Sequence, residues 1–210
     1  MKISICQVSE HILCKNIIFM PKEVIFMNWE FAFLDSIRDN FSNPVFDEIS
    51  KFFGDAVIPI IIVAMILLII FKKTRRTGIA LLISTVSVVI IGNLILKPAI
   101  ARVRPYDVNT AVQLIVSAEH DFSFPSAHTY FAFTTATVIF MRYKKIGICC
   151  YILAILMALS RMYLYVHYPT DVIAGAIFGI GFGIAGYFIE KALYNFISNR
   201  KYKAKHEKNE

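Results

Sequence analysis

AVIPIIIVAMILLIIFKKTRRTGIALLISTVSVVIIGNLIL, residues 56–96, decides the fold: an apolar run, a basic knot and a second apolar run. Residues 56–71 are sixteen positions without a charge and residues 77–96 are twenty. A hydrocarbon core about 30 Å thick takes roughly 20 residues of helix. Phe52 and Phe53 bring the first run to full length and leave Asp55 near an interface. Working outward, three more such runs follow, at 122–141, at 146–160 (completed by 161–166) and at 172–189. The expectation is an all-α polytopic membrane bundle with five transmembrane helices.

Composition agrees. The chain is 57% hydrophobic and 18% charged, against roughly 45–50% apolar and 25% charged in soluble domains, which excludes disorder and argues against a soluble enzyme. The net charge of +7 does not point to nucleic acid, because Lys and Arg gather at the ends of the apolar runs. Four basic residues lie in 72–76, three in 142–145, and Lys191, Arg200, Lys201, Lys203, Lys205 and Lys208 follow the last run. These connections, and the C-terminus with them, are expected to be cytoplasmic. Segments 97–121 and 161–171 are balanced in charge, and 28–55 sets six acids against Arg38 and Lys51. Those three are expected on the extracytoplasmic face.

Residues 28–43 mix Trp29, Phe31, Phe33, Leu34, Ile37 and Phe41 with charges at near-helical spacing, which predicts an amphipathic helix lying in the membrane interface. Met27 opens the membrane unit, so residues 1–26 are expected to be an upstream extension without a catalytic role, 27–197 the membrane domain and 198–210 a basic tail. Cys6, Cys14, Cys149 and Cys150 show no metal or disulfide spacing, and the last two are read as small buried hydrophobes. Gly175, Gly179 and Gly183 read as a close helix contact.

Polar residues at membrane depth are costly and usually functional. Three clusters stand out: KPAIARVRP at 97–105, PSAH at 125–128, and SRMYLYVHYPTD at 160–171. Lys97 and Arg104, seven apart, share a face if their segment is helical. The second run ends at the first cluster, the third begins at the second, and the fourth and fifth are joined by the third, so all three meet at one face of the membrane. Lys97, Arg104 and Arg161 converging there would repel one another unless a polyanion lay between them, which points to phosphate. Free backbone N–H groups around Ser126 and Ala127, at a helix start, would add to the anion site. His167 could attack phosphorus, with Asp171 taking the other ring N–H, and His128 could protonate the departing oxygen. Singly, Lys97 and Arg104 would pass for snorkelling residues and His128 for an ordinary helix-start histidine; together the clusters favour chemistry.

In order and spacing, KxxxxxxRP, PSxH and SRxxxxxHxxxD resemble the three signature motifs of the type-2 phosphatidic acid phosphatase superfamily. Ten residue types between Lys97 and Asp171 carry the likeness, with Ala127 where the family usually has glycine. The resemblance implies a phosphatase that needs no metal or other cofactor and works through a phosphohistidine. His167 would be the nucleophile, Asp171 its orienting partner and His128 the general acid, with Lys97, Arg104, Ser126, Ala127 and Arg161 holding the phosphate. The partner would be a membrane lipid phosphate or diphosphate. Undecaprenyl diphosphate is the leading substrate expected of a small member, and phosphatidylglycerophosphate or phosphatidate the alternative. A transporter would instead call for ionisable residues at mid-span, and a metal hydrolase would set a divalent ion among three cations.

Overall fold

The computed structural model describes residues 22–206, which are mostly helical with no strand among them. Helix α1 spans Lys22–Phe41, so the helix expected at 28–43 forms and begins upstream of Met27; most of the expected extension, with Cys6 and Cys14, lies outside the described residues. Leu34 is fully buried on its inner face, while Trp29 and Phe33 stay exposed, so the helix has a covered and an open face.

Helix α2, Pro44–Ile70, starts where Asn43 Oδ1 accepts the N–H groups of Val45 and Phe46, both at 3.0 Å, with Pro44 in the first turn. Ile60, Ile62, Val63, Ile66 and Leu67 are all exposed, a continuous apolar surface that only lipid or another protein would cover. Helix α3, Arg75–Val88, passes without a break into a π-helical stretch, Val89–Leu96, and the single turn α4, Lys97–Ile100. The Lys97 N–H donates to the Gly92 carbonyl five residues back, the wide pitch that often marks a functional site. A side chain at Gly92 would come within 3.0 Å of the Tyr130 ring, whose hydroxyl donates to Asn93 Oδ1. The wide turn therefore sits where Tyr130 presses on the helix.

The one-turn helix α5, Pro105–Val108, and a long loop lead to α6, Ala127–Arg142, followed by α7, Lys144–Tyr163, and α8, Pro169–His206. Four helical stretches are long and apolar enough to cross a membrane: Pro44–Ile70, Arg75–Val108, Lys144–Tyr163 and Pro169–Lys203. The apolar run at 122–141 is helical only from Ala127, which gives α6 sixteen residues and a length of about 24 Å at 1.5 Å per residue. α8 runs on through the expected tail, beyond the boundary at residue 198. Short α6 is the centre of the bundle and packs most widely on α8 and α7.

The α6–α8 contact is made by the glycine series. A Cβ at Gly175 would stand 2.9 Å from the Ser126 carbonyl oxygen, at Gly179 2.7 Å from that of Tyr130, and at Gly183 2.6 Å from Thr137 Cβ. Backbones at this separation leave no room for a methyl group, and the contact sets the starts of α6 and α8 side by side. At the opposite end, buried Glu190 pairs with Arg76, at 2.8 Å, and with Arg142, tying α8 to the first turn of α3 and the last of α6. Cys149 is exposed and Cys150 half-buried, so the expectation of two buried thiols fails. They sit near the start of α7, where Ile146 and Ile148 also face outward.

Candidate active site

The Lys97 and Arg104 side chains reach one place by a break in the helix. Ala101, with φ of 49°, ends α4 in the left-handed region, and the chain then runs on to Pro105, where α5 starts. The expected single helical face is therefore replaced by a turn, and the two cations converge on Asp121. Lys97 pairs with one Asp121 oxygen and Arg104 with the other, and Arg104 Nε donates to the Asp121 backbone carbonyl at 2.8 Å. Arg104 also pairs with Glu119 at 2.5 Å and is only 1% exposed. Tyr106, one residue past Pro105, holds the Glu119 backbone in place: its hydroxyl donates to the carbonyl at 2.9 Å and accepts the N–H at 3.1 Å. The anion demanded by converging cations is thus supplied by two carboxylates.

His167 and Asp171 are both fully buried. Leu164 caps α7, and Tyr165 takes φ of 62° inside the protein, a rare conformation for a bulky residue that turns the chain towards His167. Pro169 opens α8, and Asp171 Oδ2 accepts the Tyr168 N–H at 2.9 Å. The same oxygen lies 3.6 Å from His167 Nδ1, just beyond hydrogen-bond length, and Nδ1 has no closer partner. On the other side of the ring, Arg104 Nη1 lies 3.4 Å from Nε2 and donates to the Val166 carbonyl at 2.9 Å. A guanidinium has only donors, so the Nε2 that faces it presents a lone pair and the ring proton belongs on Nδ1, towards Asp171. Burial lowers the pKa of His167, and Arg104 acts in the same direction against the carboxylates of Asp171 and Glu119, so the ring is neutral at neutral pH.

Arg161 and His128 occupy the adjacent wall. Arg161 is buried and donates to the Ser50 carbonyl at 2.9 Å and to Ser160 Oγ at 3.3 Å. Gly54 permits this approach, since a Cβ there would lie 2.8 Å from both guanidinium nitrogens. His128 Nε2 is 3.1 Å from the Gly54 carbonyl, which only an N–H can satisfy, while Nδ1 is buried without a partner. Both residues line a cavity of about 700 Å³ with Lys51, Asp55 and Glu119; Glu119 joins it to Arg104 and His167. Ser126 is buried, but its N–H donates to the Asp171 carbonyl at 3.2 Å and its hydroxyl accepts from Thr129 at 3.0 Å. The expectation of a free N–H at Ser126 is corrected. The first-turn amides from Ala127 onward are those that a helix start leaves without intrahelical partners.

Arg102, Glu30, Glu119 and Asp121 were missed by sequence reasoning. Arg102 stood inside the first cluster with no period to single it out, and the two acids of the loop were counted only as charge balance.

The PAP2 superfamily pattern matches residues 76–194, more than half of the chain. The chain belongs to the PAP2 superfamily. It is 38% identical over 114 residues to an undecaprenyl-diphosphatase of Sulfolobus acidocaldarius, covering 54% of this chain and 55% of that one. The chain spans about half the length of the curated relatives it matches. Among solved structures it is similar to Aquifex aeolicus LpxE, with a TM-score of 0.60 and 29% identity over 75% of this chain and 94% of that one. It shares the fold of a transmembrane PAP2-type phosphatidylglycerolphosphate phosphatase from Bacillus subtilis, with a TM-score of 0.63 and 24% identity over 82% and 88% of the two chains. This PAP2 member is a multi-pass membrane protein.

The carboxylates of the loop give a pH test. Burial pushes Asp121 up, but Lys97 and Arg104 outweigh it and hold its pKa below the ordinary 3.8; Glu119, raised by burial, is likewise brought below its usual value by Arg104. A carboxylate with a depressed folded pKa stabilises the fold above its unfolded pKa and loses that contribution as pH falls through the folded one. Asp121→Asn is expected to lower the unfolding temperature in detergent at pH 7, with the deficit shrinking below about pH 4. A deficit unchanged between pH 7 and pH 3 would show that the Asp121 charge does not bind the two cations.

Proposed function

We propose that this PAP2 member is an integral membrane lipid phosphatase that hydrolyses undecaprenyl diphosphate to undecaprenyl phosphate through a phosphohistidine on His167. The observation that carries the reading is the buried imidazole of His167 set between Arg104, whose Nη1 lies 3.4 Å from Nε2, and Asp171, whose Oδ2 lies 3.6 Å from Nδ1; a donor-only neighbour leaves the lone pair on Nε2. A phosphoryl group held by Arg104 would meet that lone pair directly. Substrate oxygens take the place of the Glu119 and Asp121 carboxylates on Lys97 and Arg104, while Arg161 and the first-turn amides from Ala127 onward hold the far side, with Ser126 framing the turn.

His167 Nε2 attacks phosphorus as the bond to the leaving oxygen breaks. The ring becomes an imidazolium-like N-phosphoryl group, stabilised through Nδ1–H by Asp171. His128 gives a proton to the leaving oxygen; the ring carries that extra proton only with substrate charge beside it. Water then attacks the phosphoryl group, the N–P bond breaks, and inorganic phosphate leaves with His167 restored. His128, now neutral, takes the proton from the attacking water.

A lipid substrate is supported by a second cavity, of about 320 Å³, whose walls include Phe41, Phe46, Phe53, Leu156 and Leu159. Ser50 and Ser160 line it too, and both accept from Arg161, so apolar space adjoins the polar site. The name of the Sulfolobus relative supports the diphosphate. In the membrane, α6 serves as a fifth crossing, the basic ends of the helices face the cytoplasm, and the site opens on the extracytoplasmic face.

A cysteine introduced at Asn109 is expected to react with a membrane-impermeant reagent in intact cells, and one at Thr74 only after permeabilisation; the reverse pattern would place the site in the cytoplasm. Purified protein is expected to release phosphate from undecaprenyl diphosphate faster than from phosphatidylglycerophosphate or phosphatidate, with and without chelator. Expelling an alkoxide from phosphatidate needs a proton more than expelling a phosphate monoester does, since the latter has a second pKa of about 6. His128→Ala should therefore reduce phosphatidate turnover by something like 10²–10⁴-fold and diphosphate turnover by much less. Equal losses under saturating substrate would refute the acid role, and preference for phosphatidate in the wild type would refute the substrate.

A further inference from the structure

One buried carboxylate has no part in the reaction above. Glu30, on the amphipathic helix α1, is 3% exposed, although Trp29 beside it and Phe33 one turn on face outward. A carboxylate is seldom buried without partners, and these partners lead to the nucleophile. Glu30 Oε1 accepts from Thr170 Oγ1 at 2.5 Å, and Oε2 pairs with Arg102 Nη2 at 2.5 Å. Arg102 Nη1 donates at 2.5 Å to Asp171 Oδ1 and at 2.6 Å to Thr170 Oγ1, with the guanidinium 3.8 Å above the Tyr168 ring. The other Asp171 oxygen is the one that faces His167 Nδ1. We infer that Glu30 and Arg102 are positioning residues, holding and charge-balancing Asp171 so that its other oxygen serves His167.

This inference rests on the reading of Asp171 as the partner of a nucleophilic His167. The two positioning residues do different work. Arg102 fixes the rotation of the carboxylate by binding Oδ1, which leaves Oδ2 to the Tyr168 N–H and the imidazole. Glu30 divides the attraction of Arg102, for a guanidinium paired with Asp171 alone would draw its electron density away from the histidine when the imidazolium forms. Helix α1 is held over the site by further contacts, Tyr165 donating to Asp35 at 2.8 Å and Arg38 to the Gln113 carbonyl at 2.5 Å. A helix at the membrane surface is thereby joined through Glu30 to the catalytic pair.

The test is a double-mutant cycle on the full chain in detergent, with phosphate release from a prenyl diphosphate as readout. Arg102→Ala and Glu30→Gln are each expected to lower kcat by about 10–100-fold, a loss like that from removing an outer partner of a metal-binding histidine. KM should stay within about twofold, and Arg102→Lys should recover part of the loss. In an Asp171→Asn background, neither substitution should cause a further loss, because both act through the removed carboxylate; independent sites would multiply instead. Leu34→Ala loosens the same helix without touching the chain of charges, so its effect is expected to multiply with Asp171→Asn. If Glu30→Gln and Arg102→Ala behave as Leu34→Ala does, or raise KM alone, the positioning role is wrong. If Asp171→Asn keeps wild-type activity, the reading of the catalytic pair fails instead. Should Asp171→Asn leave no measurable turnover, the kcat and KM values of the single variants decide.

Discussion

The buried guanidinium of Arg104 is the constraint on which the site depends. A positive charge removed from water at the end of an apolar bundle is costly unless anions surround it, and Asp121 and Glu119 do so on one side while the Val166 carbonyl and the His167 ring lie on the other. That arrangement draws the loop before α6, the turn after α7 and the end of α4 to a single point. It also decides the histidine tautomer, since a donor-only group beside Nε2 leaves the lone pair there. The same charge that organises the protein without substrate is the one a phosphoryl group would claim.

Packing supplies the precision. The glycines of α8 let α6 approach closely enough for the Ser126 N–H to reach the Asp171 carbonyl, so the starts of the two helices are joined by a hydrogen bond at the site itself. At the other end Glu190, held by Arg76 and Arg142, fixes the same two helices. The two helices are thus clamped at one end by a backbone hydrogen bond, at the other by charge and along their middle by absent side chains, while the outer surface of the bundle remains apolar.

Much of this was legible in the residues. Apolar runs broken by basic knots gave the helices, and fixed spacings of Lys97, Arg104, His128, Arg161, His167 and Asp171 gave the residues that converge. What stayed hidden depends on contacts rather than patterns. The π-helical turn at Val89–Leu96 lies against Tyr130, far along the chain; the break at Ala101 replaces the single helical face that spacing suggested; and the shortened start of α6 leaves the loop free to bring Glu119 and Asp121 to Arg104. Glu30 is one acid among six in a segment whose sequence shows only charge balance and amphipathic character. Its burial could be known only once α1 had a surface to cover.

The proposed carrier of the phosphoryl group is His167 Nε2. Rapid acid-free quenching of the purified protein during turnover of diphosphate labelled in its terminal phosphorus, followed by peptide mapping, tests it most directly. Acid-labile, alkali-stable label is expected on His167 and is expected to be absent from His167→Ala. Label on any other residue, or full turnover by His167→Ala, would contradict it.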